Sequence, residues 1–460
     1  MIYNKSYFKA FIGDKSFYKT ALIIMIPVVF QELISTLFAA VNNVMVGQLS
    51  ELSISAISVA NRPALIFYGL FFGITGAASL MLSQYYGAKQ YHQCQGIFIL
   101  ALGTGIVLAL FFSAFLYFFP GYVMHIFVSD KSTVAIGVEY LQIIAFSYLP
   151  VAVTTTCLFS MRALGNTKQP MFVSMLTVVL NAVLNYIFIF GHLGMPKMGI
   201  QGAAWGTLLS RIIEMIIYLM IITQKKTVFS LRIRSVKELG KPILKSYIEK
   251  AIPLTINEIL WTVGMAIFFW TYAQIDEGSL PAYAISDIII QIGSSVSMGI
   301  ASVVSFIIGV NLGAGEFHEA KENMKKLFAL SLFVAMASIM FIFILIPWLP
   351  GVFNVAPDLE SLTKKLAMLG AIFVIPNTLY GACFFCLRTG GDTRTAALLD
   401  SGYMWILPVP VAILISLFGK GHMGLLETLF IIQILTNAKL ILAIRAVRKG
   451  KWIKNITLLG

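Results

Sequence analysis

Residues 26–36 read IPVVFQELIST, and residues 252–262 read IPLTINEILWT. Superposed at an offset of 226, they pair Pro27 with Pro253 and Glu32 with Glu258. The same offset pairs YYGAKQYHQ (85–93) with NLGAGEFHE (311–319), and Pro150 with Pro376. It also pairs CLFSMRALGNTKQ (157–169) with CFFCLRTGGDTRT (383–395), so that Arg162 meets Arg388 and Asn166 meets Asp392. Motifs that recur in order at one spacing mark a duplicated unit.

The unit is a bundle of membrane helices. The chain has 460 residues, 58% hydrophobic and only 12% charged, with a mean hydropathy of +0.87. A water-soluble core of this length cannot bury that much apolar surface. A bilayer core of roughly 30 Å needs about 20 apolar residues per helical span. Such runs lie near 20–46, 53–83, 97–119, 134–160, 170–190 and 200–223, and then near 251–275, 282–310, 327–349, 362–387, 396–418 and 424–444. They are continuously apolar, whereas barrel strands alternate. The expectation is an all-α integral membrane protein of about twelve transmembrane helices in two pseudo-symmetric six-helix bundles. Its divisions are an N-terminal lobe at 1–224, a basic linker at 225–249 and a C-terminal lobe at 250–460. Duplicating an even number of spans leaves both lobes in one orientation, so the two-fold axis follows the membrane normal and a cavity lies between them.

The net charge of +13 would suit a nucleic-acid partner if it formed a patch, but its placement says otherwise. With the N-terminus inside, cytoplasmic segments carry twenty-five of the thirty-three basic residues, eight of them between Lys225 and Lys250. This asymmetry predicts a multi-pass protein of the cell membrane with both termini cytoplasmic, facing anionic lipid headgroups and not nucleic acid. Monomeric function is expected. The polar start at Met1–Lys19 runs into a full-length span, so no removable signal peptide is expected. Cys383 and Cys386 form a C-x-x-C without a second ligand pair, and no metal or cofactor is expected beyond a coupling ion.

Ionisable residues at membrane depth are functional candidates because insertion of each costs roughly 2.5–3.5 kcal/mol. Glu32 and Glu258, duplicated and close after a helix proline, suit proton or cation handling; a structural hydrogen bond to facing backbone is the rival reading. Arg211 and Glu214, at i,i+3, read as a local ion pair. Asp287 and Asp400 each lie about a turn from a span end, where an interfacial role competes. Asn42, Asn181 and Asn185 in the first lobe, with Asn257 and Asn377 in the second, offer amide oxygens to a cation or to neighbouring helices. Phe38 and Trp261 are among the aromatic candidates for an adaptable cavity wall. Pro27, Pro150, Pro253 and Pro376 mark bendable helices, or static kinks.

Several stretches resemble the bacterial multidrug and toxic compound extrusion (MATE) transporters of the NorM-like branch of the MOP flippase superfamily. They are IPVVFQELISTLFAAVNNVMVGQLSE (26–51), VANRPALIFYGLFFGITGAASLMLSQYYGAK (59–89), RALGNTKQP (162–170), LNAVLNYIFIFG (180–191), GIQGAAWGTLLSRIIE (199–214), NEILWTVG (257–264) and LRTGGDTRTA (387–396). The resemblance implies alternating access and efflux of amphipathic, often cationic, organic compounds in exchange for Na⁺ or H⁺. Carried over by position, the family's first-helix acid falls on Asn42, and its fifth-helix asparagines fall on Asn181 and Asn185. For the family's seventh-helix glutamate the chain offers Glu258, about one turn earlier than in many members but on roughly the same face. No acid appears in the tenth helix, which offers Asn377 and Tyr380 instead. Gln31, Arg62 and Asp287 complete the cavity candidates, with Arg62 replacing a common glutamine.

The rival within the superfamily is a lipid-linked oligosaccharide flippase, whose cavity usually carries several basic residues for pyrophosphate; here Arg62, Arg211 and Lys439 are the basic residues expected within spans. No phosphate-binding loop for a nucleotide-driven pump occurs, and no catalytic constellation supports an enzyme.

Overall fold

The structure, a computed structural model, describes residues 11–47, 49, 51–224, 228–229, 239–352 and 356–459. Among the described residues, twelve helices are long and apolar enough to cross a membrane. They are α1 (Lys15–Gly47), α2 (Ser55–Gly87), α3 (Tyr91–Phe118), α4 (Lys131–Ala163), α5 (Lys168–Phe190) and α6 (Gly199–Ile222), then α7 (Lys241–Ile275), α8 (Glu277–Gly313), α9 (Phe317–Leu345), α10 (Pro357–Thr389), α11 (Thr393–Phe418) and α12 (Leu425–Arg448). Among the described residues there is no strand. Most of the linker expected at 225–249 lies outside the described residues.

The duplication is visible in the backbone. Lys89 and Gly315, one repeat apart, both take positive φ, at 59° and 78°, and so do Gly165 and Gly391, at 78° and 82°. Each pair closes the turn after an equivalent helix, where a left-handed residue ends the helical hydrogen bonding. Asp130 caps the start of α4 by accepting from Thr133 N at 2.8 Å and Thr133 Oγ1 at 2.7 Å. These bonds, the backbone one foremost, hold its carboxyl below the usual carboxylate range.

The two halves meet through equivalent contacts: α1 packs on α8, α7 packs on α2, and α2 meets α8 between them. At the end that carries both chain termini, the halves share their cores. Phe17, Ala21 and Met25 of α1 pack with α8, α9 and α10, while Tyr247 and Leu254 of α7 pack with α2 and α3. The α2–α8 crossing is closed by reciprocal close approach. A Cβ on Gly87 would strike the backbone of Val310, and one on Gly313 would strike the backbone of Gln84. These four residues form two pairs related by the repeat. Small residues let membrane helices approach to backbone contact, which replaces the missing hydrophobic drive between helices. Fully buried Gln84 then donates through Nε2 to Thr389 O at 2.7 Å, joining the halves.

Three helix prolines sit inside continuous helices: Pro27 in α1, Pro253 in α7 and Pro376 in α10. Pro150 differs from its partner Pro376. It lies in the first turn of Tyr148–Ala163, directly after the tight 3₁₀ turn Ala145–Ser147 that interrupts α4. There its missing N–H falls where a helix start leaves donors free.

Candidate functional site

The repeat builds two polar layers, one per half, from the residues beside the helix prolines. In the first, Gln31 of α1 donates through Nε2 to Ser174 Oγ of α5 at 2.5 Å. In the second, Asn257 of α7 donates through Nδ2 to Asp400 Oδ2 of α11 at 3.1 Å. Gln31 and Asn257 are one repeat apart, as are Ser174 and Asp400, so the same contact recurs with a neutral partner in one half and an acidic one in the other.

Beside each layer lies a glutamate–arginine pair. Arg162 Nη2 donates to Gln31 Oε1 at 2.6 Å and to Glu32 Oε1 at 3.1 Å. Arg388 Nη1 lies 3.6 Å from Glu258 Oε1, too long for a hydrogen bond, and this nitrogen has no hydrogen-bond partner. The other guanidinium nitrogen, Nη2, donates to Phe72 O at 3.2 Å, and the group lies 5.1 Å from the centre of the Phe72 ring. Both arginines are buried, whereas the side chain of Glu258 is 16% exposed and that of Glu32 34%. By charge placement alone, Arg162 and Arg388 belong with the cytoplasmic charges, just past the spans expected at 134–160 and 362–387. They instead occupy the last turns of α4 and α10, because the RALG and RTGG stretches are still helical at the arginine.

A cavity of about 50 Å³ straddles the two-fold axis between these pairs, lined by both arginines and by equivalents such as Phe72 with Met298 and Phe159 with Phe385. A larger one, about 310 Å³, opens beside Glu32 toward Tyr68, Phe71, Arg211 and Met298. A third, about 240 Å³, continues toward Asn42 and Asn181.

The expected first-half amides do converge. Asn42 Nδ2 donates to Asn181 Oδ1 at 2.8 Å, and Asn185 Nδ2 to Asn42 Oδ1 at 3.2 Å. Asn181 in turn donates to Ser210 Oγ at 3.1 Å. Arg211 Nη1 and Glu214 Oε2 form the expected local pair at 2.7 Å.

The second-half coupling group does not hold together as expected. Asn257 and Tyr380 gather on Asp400, Glu258 stands apart with Arg388, and Asn377 is exposed one turn before Tyr380. Asp400 is therefore not interfacial: it is buried, and Lys439 Nζ of α12 donates to its Oδ1 at 2.7 Å while Tyr380 OH donates at 3.1 Å. Arg62 is exposed at the first turn of Arg62–Gly87, and Trp261 is exposed on α7. Asp287 is half-buried and accepts from Gln291 Nε2 at 2.6 Å. The Phe38 side chain lies outside the described residues.

A model of the MatE family matches residues 27–187 and again 253–414. The chain belongs to the MatE family. Its two matched segments begin at Pro27 and Pro253, the same prolines that open the sequence repeat. It is a multi-pass membrane transporter and not an enzyme. The chain is similar to an uncharacterized transporter, YisQ, of Bacillus subtilis (strain 168), 23% identical over 84% of each chain. It is also similar to a probable multidrug resistance protein, NorM, of Bacillus cereus (strain ATCC 10987 / NRS 248), 20% identical over 88% of this chain and 90% of that one. Among solved structures, an outward-facing multidrug resistance MATE family transporter of the MOP superfamily superposes with a TM-score of 0.85 at 16% identity, covering 98% of both chains.

Proposed function

We propose that the chain exports amphipathic organic cations in exchange for protons, by alternating access in the cell membrane. In this reading it acts as a monomer with both termini in the cytoplasm, its lobes being 1–224 and 250–460, joined by the basic linker 225–249. The observation that carries the reading is the duplicated contact of Glu32 with Arg162 and Glu258 with Arg388: both guanidinium groups line the cavity between the halves, and Glu32 also lines the larger cavity beside it. A carboxylate partly withdrawn from water beside a buried guanidinium favours a counter-charge, and three can serve: the guanidinium, a proton, or the ammonium of a substrate. Exchange among them at one carboxylate is the elementary step of antiport, since proton and cation cannot both hold it.

Protons are favoured over Na⁺ because the near neighbour of each glutamate is a guanidinium. A bare alkali cation needs a shell of oxygen ligands in place of its hydration water. Aromatic residues Tyr68, Phe71, Phe72 and Phe159 line the approach, and their ring faces attract organic cations. Similar proteins named for multidrug resistance agree with a substrate of this kind.

The flippase reading gains from Arg162 and Arg388, which add to the positive charge at membrane depth. Yet Arg162, Arg211, Arg388 and Lys439 each face a carboxylate, leaving little excess charge for a pyrophosphate. The test is ethidium transport by the purified chain in liposomes, with a pH gradient or a Na⁺ gradient imposed separately. Uptake against the ethidium gradient is expected with the pH gradient alone, and to fall at least tenfold in Glu32→Gln. Transport that follows Na⁺ only, or none under either gradient, overturns the proposal.

A further inference from the structure

We infer that Lys439 is a tethered cation that fills the second half's cation site and keeps alkali-metal ions out of it. The inference deepens the proton-coupled reading above and rests on it.

The repeat explains why a cation is needed there. Where the first half pairs Gln31 with a serine hydroxyl, the second pairs Asn257 with the Asp400 carboxylate, which is 8% exposed. Seven residues into α11, this carboxylate lies about 10 Å from the helix end, too deep for water to neutralise it. Its surroundings are those of a monovalent-cation site. Asn257 and Tyr380 hold its two oxygens in place by hydrogen bonds, and the Tyr380 ring presents its face 4.1 Å from Lys439 Nζ. The ammonium thus sits between a carboxylate and a ring face, a position a free cation would also favour.

Helix geometry marks the same spot. Asp400 lies in a single π-helical turn, Leu398–Gly402, within α11. Such turns recur at functional sites.

The consequence is a site occupied by the chain itself. Lys439→Met keeps the length and apolar stem but removes the charge, leaving Asp400 to recruit a mobile cation. The experiment measures thermal unfolding of the detergent-purified chain at constant ionic strength, titrating NaCl or KCl against choline chloride. Wild type should unfold at the same temperature in all three. Lys439→Met should unfold earlier in choline and gain about 2 °C or more for each tenfold rise in Na⁺ or K⁺ above its Kd. Asp400→Asn with Lys439→Met should lose that response and recover thermal stability, and Lys439→Arg should stay indifferent to the salt.

An unresponsive, folded Lys439→Met overturns the inference. Should that variant fail to fold, wild type still decides: a saturable Na⁺ shift in wild type that disappears in Asp400→Asn overturns it equally. Because unfolding needs no transport, this result is separate from the proton-gradient test. A chain that ignores the pH gradient yet shows the Lys439→Met response would overturn proton coupling alone.

Discussion

Gly313→Leu should drive the chain out of the conformation described here, opening the end that carries the termini. Gly313 lies against the backbone of Gln84, and its equivalent Gly87 lies against the backbone of Val310. A side chain at either position meets backbone, which cannot rotate aside as a flexible side chain would. Overpacking of this kind costs about 1–3 kcal/mol. The penalty applies only while α2 and α8 touch, so a state that separates them escapes it. Each 1.4 kcal/mol is a factor of ten in an equilibrium, so the ratio of closed to open should fall roughly 5- to 140-fold. Gly87→Leu should act in the same direction, because the two glycines are related by the repeat. Spin labels at His92→Cys and His318→Cys, one repeat apart and both exposed, report the separation. The four native cysteines are free and buried and compete little for the label. A new long-distance population is expected in both leucine variants. A folded Gly313→Leu with the wild-type distance would show that this crossing does not set the conformational balance.

The same glycines show how far the sequence could be read. Gly87 and Gly313 stand in the quoted repeat, and the offset that pairs them also pairs Ser174 with Asp400 and Gln31 with Asn257. Carried that far, the repeat pairs Asp400 with a residue at the same depth, six residues into α5, so it does not by itself correct the interfacial reading. Position along a helix misled because distance from a span end says nothing about what packs over that turn; here α7, α10 and α12 do. Lys439 was legible as a basic residue within a span, but its partner was not: the offset carries it to Ile213 of α6, and an isolated lysine in an apolar run has no periodic signal. Arg162 and Arg388 were paired by the repeat but assigned to loops, because a Gly-containing motif follows each and helix ends cannot be placed to the residue. The burial of Arg388 arises from the opposite half, where it rests on Phe72 of α2, a contact between residues 316 apart, whereas Arg162 is held by Gln31 and Glu32 of its own half. The spans, the amide cluster at Asn42, Asn181 and Asn185, and the Arg211–Glu214 pair were legible because each depends on composition or on spacing within one or two helices.

Glu258→Gln should abolish proton-driven transport, by a factor of at least one hundred, while leaving the fold intact. Glutamine keeps an oxygen near Arg388 but cannot take up or release a proton, so the exchange of counter-charges ends. Glu258 should matter more than Glu32 for a geometric reason. Arg162 donates true hydrogen bonds to Gln31 and Glu32, at 2.6 and 3.1 Å, whereas Arg388 stands 3.6 Å from Glu258 with that nitrogen unpartnered. The looser pair leaves its carboxylate freer to exchange partners. Arg388→Gln provides the complementary arm. It leaves Glu258 facing Asp400 and apolar surroundings without its guanidinium, and removing one partner of a buried pair destabilises more than removing both. The double variant Glu258→Gln, Arg388→Gln should therefore unfold at a higher temperature than Arg388→Gln alone, with a coupling of about 1–3 kcal/mol, yet still transport nothing. Thermal unfolding and ethidium uptake on the same four preparations separate the two roles. If Glu258→Gln were as active as wild type while the stability coupling remained, the pair would be structural and the proton would have to pass through Glu32. If activity fell but the double variant regained it, charge balance and not protonation would be what the site supplies.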